Sequence, residues 1–94
     1  MSDSNIRILF ETYKDDARML RIYVGIASDG RYVSVTEYVT SQSAFTAMES
    51  MVHSLTEAEF RERVAAAKQN GALKKAVREG YLTQEEADRL SESV

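Results

Sequence analysis

The sequence predicts an α+β fold: a three-stranded antiparallel meander followed by three or four short helices packed on one face. Three observations support this prediction. Apolar and polar residues alternate through most of the first 40 positions, which is the pattern of half-buried strands. After Thr40 the apolar residues recur at the three- and four-residue spacing of helices. The pattern Leu-Thr-x-x-Glu at residues 55–59 and 82–86 is a capping box that starts a helix.

The first predicted strand covers about residues 6–13. Its alternation places Ile6, Ile8 and Phe10 toward the core and Arg7 and Leu9 on the opposite face. Residues 14–18 have the composition of a turn, so this strand should end there and pair with the next one.

The second and third predicted strands cover about residues 19–27 and 32–40. They are separated by Asp29-Gly30, a dipeptide that accepts the positive φ of a tight hairpin turn. In this interpretation Val24 faces the core from the second strand, and Val33 and Val35 do so from the third.

Helices are predicted at about residues 43–54, 57–69, 72–79 and 84–92. The first follows from the spacing of Phe45, Met48, Val52 and Leu55, and it should cover the sheet. The second starts at the Thr56 capping box and should end at Asn70-Gly71, where glycine favours the left-handed C-terminal conformation.

Length and composition predict one soluble, cytoplasmic domain over residues 1–94. The chain has no cysteine, which excludes disulfides, thiolate metal sites and thiol nucleophiles. Its polar, acidic N-terminus is unlike a signal peptide. No apolar run approaches the roughly 20 residues of a membrane-spanning helix, so membrane insertion is not expected.

Catalytic chemistry is not predicted either. His53 is the single histidine, no serine has triad partners, and the four glycines match no phosphate-binding pattern. The adjacent carboxylates of Asp15 and Asp16 have no further ligand at useful spacing, so they are interpreted as a turn. We therefore expect no enzyme activity, no cofactor and no metal.

A candidate binding surface is the face of the sheet turned away from the predicted core. Tyrosine and arginine are enriched at interface hot spots because each combines a broad contact area with a polar end. Such a face would bind a protein partner or a second copy of the chain, whereas the structural alternative is that cross-strand aromatic pairs only stabilise the sheet. The predicted partner-binding residues are Arg7, Tyr13, Arg21, Tyr23, Tyr32 and Tyr38.

A second candidate surface is basic. Residues 61–78 carry six basic side chains and one acidic side chain, although the chain as a whole has a net charge of −3. The overall sign and the acidic last helix disfavour nucleic acid as a partner. The residues predicted for this alternative, phosphate binding, are Arg61, Lys68, Lys74, Lys75 and Arg78.

Two resemblances add to these predictions. Residues 73–90, Leu-Lys-Lys-Ala-Val-Arg-Glu-Gly-Tyr-Leu-Thr-Gln-Glu-Glu-Ala-Asp-Arg-Leu, resemble the short C-terminal helical hairpin called SHOCT. In its format, an acidic sheet-plus-helix protein without catalytic groups, the chain also resembles small phage-encoded inhibitors such as anti-CRISPR proteins. That resemblance implies an inhibitor that occupies the surface of a host or defence complex.

The function predicted from the sequence is thus a non-enzymatic protein-binding domain. The alternative left open is a regulatory protein that binds a small ligand or nucleic acid through the aromatic sheet face or the basic helices.

Overall fold

The chain forms a four-stranded antiparallel sheet followed by three helices, in a computed structural model that describes residues 6–40 and 47–94. The strands follow one another across the sheet in the order β1-β2-β3-β4, so each pairs with its neighbour in the chain. Their bounds are β1 Ile6–Asp15, β2 Leu20–Ala27, β3 Tyr32–Thr40 and β4 Ala47–Ser54. The helices are α1 Glu57–Asn70, α2 Ala72–Arg78 and α3 Gln84–Glu92.

The α+β class, the first three strands and the last three helices agree with the sequence prediction. The predicted helix at 43–54 is wrong from residue 47 onward, since 47–54 form β4, and residues 43–46 lie outside the described residues. β4 pairs antiparallel with β3, with Val35 opposite Val52 and Thr36 opposite Met51. The sheet therefore has four strands rather than three.

β1 departs from regular alternation. Its pairing with β2 shifts register between Ile8 and Phe10 and again between Glu11 and Tyr13. At a bulge two consecutive residues oppose one on the partner strand, so both can point to the same side. Leu9 and Phe10 are accordingly both buried, with 6% and 0% of their surfaces exposed. The prediction that Leu9 lies on the face opposite the core is therefore wrong. Ile6 and Ile8, predicted to face the core, lie opposite Ala27 and Gly25, on the other side of the sheet from Phe10 and Val24.

The register between β2 and β3 defines the two faces of the sheet. Val24 and Ile26 pack in the main core with the helices, and Tyr32 lies directly opposite Ile26; we call this the helix-side face. Val33 lies opposite Gly25 and Val35 opposite Tyr23, which places all four residues on the other side, the outer face.

Val33 and Val35 are buried as predicted, but on the outer face rather than beside Val24. The close approach at Gly25 helps to explain this burial. A Cβ at that position would lie 2.7 Å from the Arg7 carbonyl oxygen and 3.0 Å from Cγ2 of Ile6. Only glycine leaves room for β1 to pass so near to this part of the outer face.

The helix boundaries follow from local capping. The Thr56 side chain accepts from the Glu59 amide at 3.1 Å, and the Glu59 carboxylate accepts from the Thr56 amide at 2.9 Å. Thr83 and Glu86 repeat this arrangement at the start of α3. Gly71 ends α1 at φ +84° and donates its amide to the Ala67 carbonyl, as the Asn70-Gly71 dipeptide predicts.

The main core lies between the helices and one part of the sheet. The helices approach the sheet chiefly along β1, with α1 and α2 packed against it. None of the helices in the described ranges has the length and apolar character needed to cross a membrane. The buried residues of this core are Leu9, Phe10, Val24, Phe60, Val64, Ala67, Leu73, Ala76, Leu82 and Ala87.

Candidate interaction surfaces

The six residues predicted to form one partner-binding face lie on both faces of the sheet. The register places Arg7 opposite Ile26 and Tyr13 opposite Ile22, so both belong to the helix-side face. Tyr32 and Tyr38 share that face, since they lie opposite Ile26 and Leu20. Arg21 and Tyr23 are on the outer face, opposite Glu37 and Val35. The prediction that all six share one face is therefore wrong.

Tyr32 is covered by α1. Its ring stacks on the ring of Phe60, with centroids 3.6 Å apart and an interplanar angle of 12°. This pair holds the start of β3 against the helix. The stacking therefore gives the Tyr32 ring a structural role within the chain.

On the outer face Tyr23 is half-buried beside Val35. Burial, followed by the nearby carboxylate of Glu37, raises the pKa of the Tyr23 phenol above its ordinary value. Arg21 donates to an Asp16 carboxylate oxygen at 3.3 Å. These contacts leave less polar surface for a partner than the sequence alone suggested.

Arg7 joins the first strand to the last helix. Its guanidinium donates to both carboxylate oxygens of Glu86, at 2.8 and 2.7 Å, and to the Tyr81 carbonyl at 3.0 Å. The guanidinium of Arg7, together with the Thr83 amide, lowers the pKa of Glu86 to about 2. Arg7 thus has a structural role. The exposed part of its side chain borders a cleft between the sheet, α1 and α3.

Two other predicted residues, Tyr13 and Tyr38, do reach solvent. Tyr38 is 38% exposed, and Met51, on the same face in the neighbouring strand, is 46% exposed. Tyr38 and Met51 are diagonal neighbours across the β3–β4 pair, so their side chains are within reach of one another. On the outer face Val52 is exposed next to buried Val35. We call these three exposed residues, which lie on the two faces of the sheet at β3 and β4, the β4 surface: Tyr38, Met51 and Val52.

β4 is also one of the two edge strands of the sheet, the other being β1. It pairs with β3 on one side, and no strand among residues 6–40 and 47–94 pairs with its other side. Residues 51–54 are all exposed. His53, predicted near the end of a helix, lies instead on this edge strand opposite Ser34. Sequence reasoning missed this edge because it assigned the segment to a helix.

The five residues predicted for phosphate binding do not form one surface. Arg61 borders the cleft between α1 and α3, whereas Lys75 and Arg78 line a separate groove beside β1. Lys75 pairs with Glu11 at 3.0 Å, which raises the pKa of the lysine. Lys68 donates to the Ser91 carbonyl, and Lys74 is exposed on α2. Phosphate binding by all five together has no support in this arrangement.

Asp15 and Asp16 have structural partners. Oδ1 of Asp15 accepts from the amides of Ala17 and Arg18, and Asp16 pairs with Arg21. Nowhere in the described ranges do three or more histidine or carboxylate side chains come together as metal ligands. The turn interpretation of these carboxylates agrees with their contacts.

In comparisons with known proteins, no family model, no curated protein and no solved structure matched this chain.

Proposed function

We propose that this protein is a non-enzymatic protein-binding domain that accepts an extended strand of its partner along the free edge of β4. The position of β4 at the edge of the sheet is the observation that carries the proposal. Along such an edge every second residue points its amide and carbonyl away from the sheet, and an added strand satisfies them.

The sequence of β4 suits this role. Edge strands that avoid association commonly carry several charged side chains, lysine above all, or proline. Residues Ala47–Ser54 contain no lysine or proline and a single carboxylate, Glu49, and Met51 and Val52 are exposed on opposite faces.

The apolar side chains of the β4 surface indicate which kind of partner segment would bind. A strand added beside β4 would place its side chains alternately next to Met51, with Tyr38 behind it, and next to Val52. Contact with these apolar groups favours a partner segment that carries apolar residues on both faces. Backbone hydrogen bonds would supply affinity, and the apolar contacts would supply specificity.

The resemblance of the chain to small acidic inhibitors with a sheet and helices suggests that binding serves to inhibit the partner. An inhibitor of this kind would occupy a strand of a host or defence complex and deny that strand to its normal partner. Assaying the activity of a captured complex with and without the protein tests inhibition directly.

Capture followed by hydrogen–deuterium exchange tests the proposal. The immobilised protein should retain a stoichiometric partner from a host lysate, and in the complex the amides of residues 51–54 should exchange more slowly than in the free protein. Met51→Lys should abolish retention, because it places a charge where the apolar partner segment packs. Ala65→Lys is the matched control, since it adds the same charge at an exposed position on α1.

Three outcomes would contradict the proposal. The first is retention of the partner by Met51→Lys at the level of Ala65→Lys. The second is protection that lies elsewhere than β4. The third is a concentration-dependent dimer of the free protein with protection at residues 51–54, which would identify a second copy of the chain as the occupant of the edge.

A further inference from the structure

A cleft of about 850 Å³ opens where α1 and α3 meet the end of the sheet formed by the β2–β3 hairpin. Ile26 and Tyr32 border it from the sheet, Phe60 and Arg61 from α1, and Leu90 from α3. The proposed strand-binding function does not use this cleft.

The floor of the cleft is apolar. Phe60 and Leu82 belong to the buried core, and Ile26, Tyr32 and Leu90 pack against that core while remaining partly exposed. The core therefore reaches solvent at this point instead of being sealed by polar side chains. Removing such apolar surface from water is favourable, so an apolar ligand group would gain free energy by binding here.

The rim of the cleft is rich in arginine. Arg7, Arg31, Arg61 and Arg89 border it, together with the carboxylates of Glu57 and Glu86. Arg7 is paired with Glu86 and Arg89 with Glu85, so their charges are largely balanced within the chain.

Arg31 and Arg61 supply further donors, and of these two Arg31 is itself paired, with Asp29. Nε of Arg31 donates to Asp29 at 2.7 Å, and Nη1 donates to the Ser54 hydroxyl at 2.7 Å. These bonds hold the guanidinium in place, and Nη2 donates to no acceptor within the described residues. Arg61 forms no ion pair with any residue in the described ranges. The rim can therefore offer an anion the spare donors of Arg31 and the positive charge of Arg61.

We infer that this cleft binds a small amphipathic carboxylate, with its apolar chain on the floor of Tyr32, Phe60 and Leu90 and its carboxylate between Arg31 and Arg61. The guanidinium group matches a carboxylate because its planar N–H donors meet two oxygens at once. The cleft volume lies within the range of small-molecule sites, which is about 300–1,000 Å³.

Decanoate is the probe that tests the inference, because it combines one carboxylate with a flexible apolar chain. Titration into the labelled protein, followed by NMR, should shift the methyl signals of Ile26, Leu82 and Leu90 and the side-chain Nε–H signals of Arg31 and Arg61. Decyltrimethylammonium, which has the same chain and the opposite charge, should bind at least about tenfold more weakly, as expected when an ionic hydrogen bond is lost. Decanol should also bind more weakly than decanoate.

A double variant tests the arginines directly. Arg31→Gln with Arg61→Gln should weaken decanoate binding at least about tenfold, because two charged donors are replaced by neutral ones. The control is Arg31→Gln with Arg78→Gln, which makes the same change in charge but leaves Arg61 at the rim; Arg78 is exposed on α2, outside the cleft. This control should bind decanoate more tightly than the variant that lacks both Arg31 and Arg61.

Several results would overturn the inference. Absence of shifts at the floor methyls with decanoate would show that the cleft does not bind this class of ligand. Equal binding of decanoate and decanol, or equal binding by the two double variants, would show an apolar surface without selection for an anion. Met51→Lys should bind decanoate normally, so failure here and failure of the strand-binding proposal can be distinguished.

Discussion

At the scale of single residues, Glu86 shows how one side chain serves two structural purposes. Its Oε1 accepts from the Thr83 amide at 2.9 Å, which completes the cap of α3, and from the guanidinium of Arg7 at 2.7 Å. Both partners favour the ionised carboxylate, and its pKa falls from 4.5 to about 2. The start of α3 is thereby tied to β1, 79 residues earlier in the chain.

This pKa predicts a pH-dependent contribution to stability. A carboxylate with a lowered pKa in the folded state stabilises the protein fully above its unfolded pKa near 4.5, and the contribution disappears as the pH falls toward 2. Glu86→Gln keeps the cap hydrogen bond but removes the charge. Urea unfolding should show the variant less stable than the parent at pH 6, and the difference should shrink steadily between pH 4.5 and pH 2.

Glu62→Gln is the control for this experiment, since Glu62 is an exposed carboxylate on α1. Its difference from the parent protein should change little over the same pH range. A constant difference for Glu86→Gln from pH 6 to pH 2 would contradict a role for the ionised carboxylate.

At the scale of elements, the sequence predicts well those structures whose signals are local. Thr56, Thr83 and Gly71 act within a single helical turn, so the starts of α1 and α3 and the end of α1 could be placed within about a residue. The Asp29-Gly30 hairpin is equally local: Gly30 takes φ +92° and its amide bonds the Ala27 carbonyl at 2.9 Å.

Elements that depend on a neighbouring strand were predicted less well. The helical spacing of Met48, Val52 and Leu55 is real, yet residues 47–54 pair with β3 through hydrogen bonds that no periodicity reveals. A bulge likewise depends on the pairing of β1 with β2, so alternation alone assigned Leu9 to the wrong face. The facing of β3 depends in the same way on its pairing with β2: Tyr32 lies opposite Ile26 and Tyr38 opposite Leu20, so the single tyrosine face predicted from the sequence does not exist.

Capping also gives a prediction at this scale. Thr83→Ala should destabilise the protein by about 1 kcal/mol, because the Glu86 amide loses its acceptor at the start of α3. Thr83→Ser retains a hydroxyl in the same position, and because serine is at least as good an N-cap residue as threonine, this variant should keep the stability of the parent. Chemical denaturation of both variants at pH 7 measures the difference, and equal stability of the two would contradict the role of the hydroxyl.

At the scale of the whole molecule, the sheet extends beyond the layer of helices. The described chain measures 44 × 27 × 22 Å, and the helices pack mainly along β1. Val24 and Val33 are almost completely buried, whereas Tyr38 and Met51 are well exposed. The free energy of local opening should therefore vary along the sheet, because it is smaller where fewer apolar groups are buried.

Native-state hydrogen exchange should reveal this variation. The hydrogen-bonded amides of β2 and β3 around Val24 and Val33 should exchange most slowly, at rates close to those of global unfolding. Hydrogen-bonded amides near Leu20 and Tyr38 should exchange faster through local opening. Uniform protection along both strands would contradict this gradient and would show that the sheet opens as one cooperative unit.

The order in which the core residues occur along the chain has a consequence for protein synthesis. Translation produces β1 before the helices, but the buried residues that share the core with Leu9 and Phe10 come largely from α1, α2 and the residues around the start of α3. While a ribosome is still making residues 57–86, the strands can pair with one another, yet their helix-side face stays uncovered. The nascent chain therefore completes its core only after its last helix has emerged, and until then Leu9, Phe10 and Val24 are exposed to chaperones.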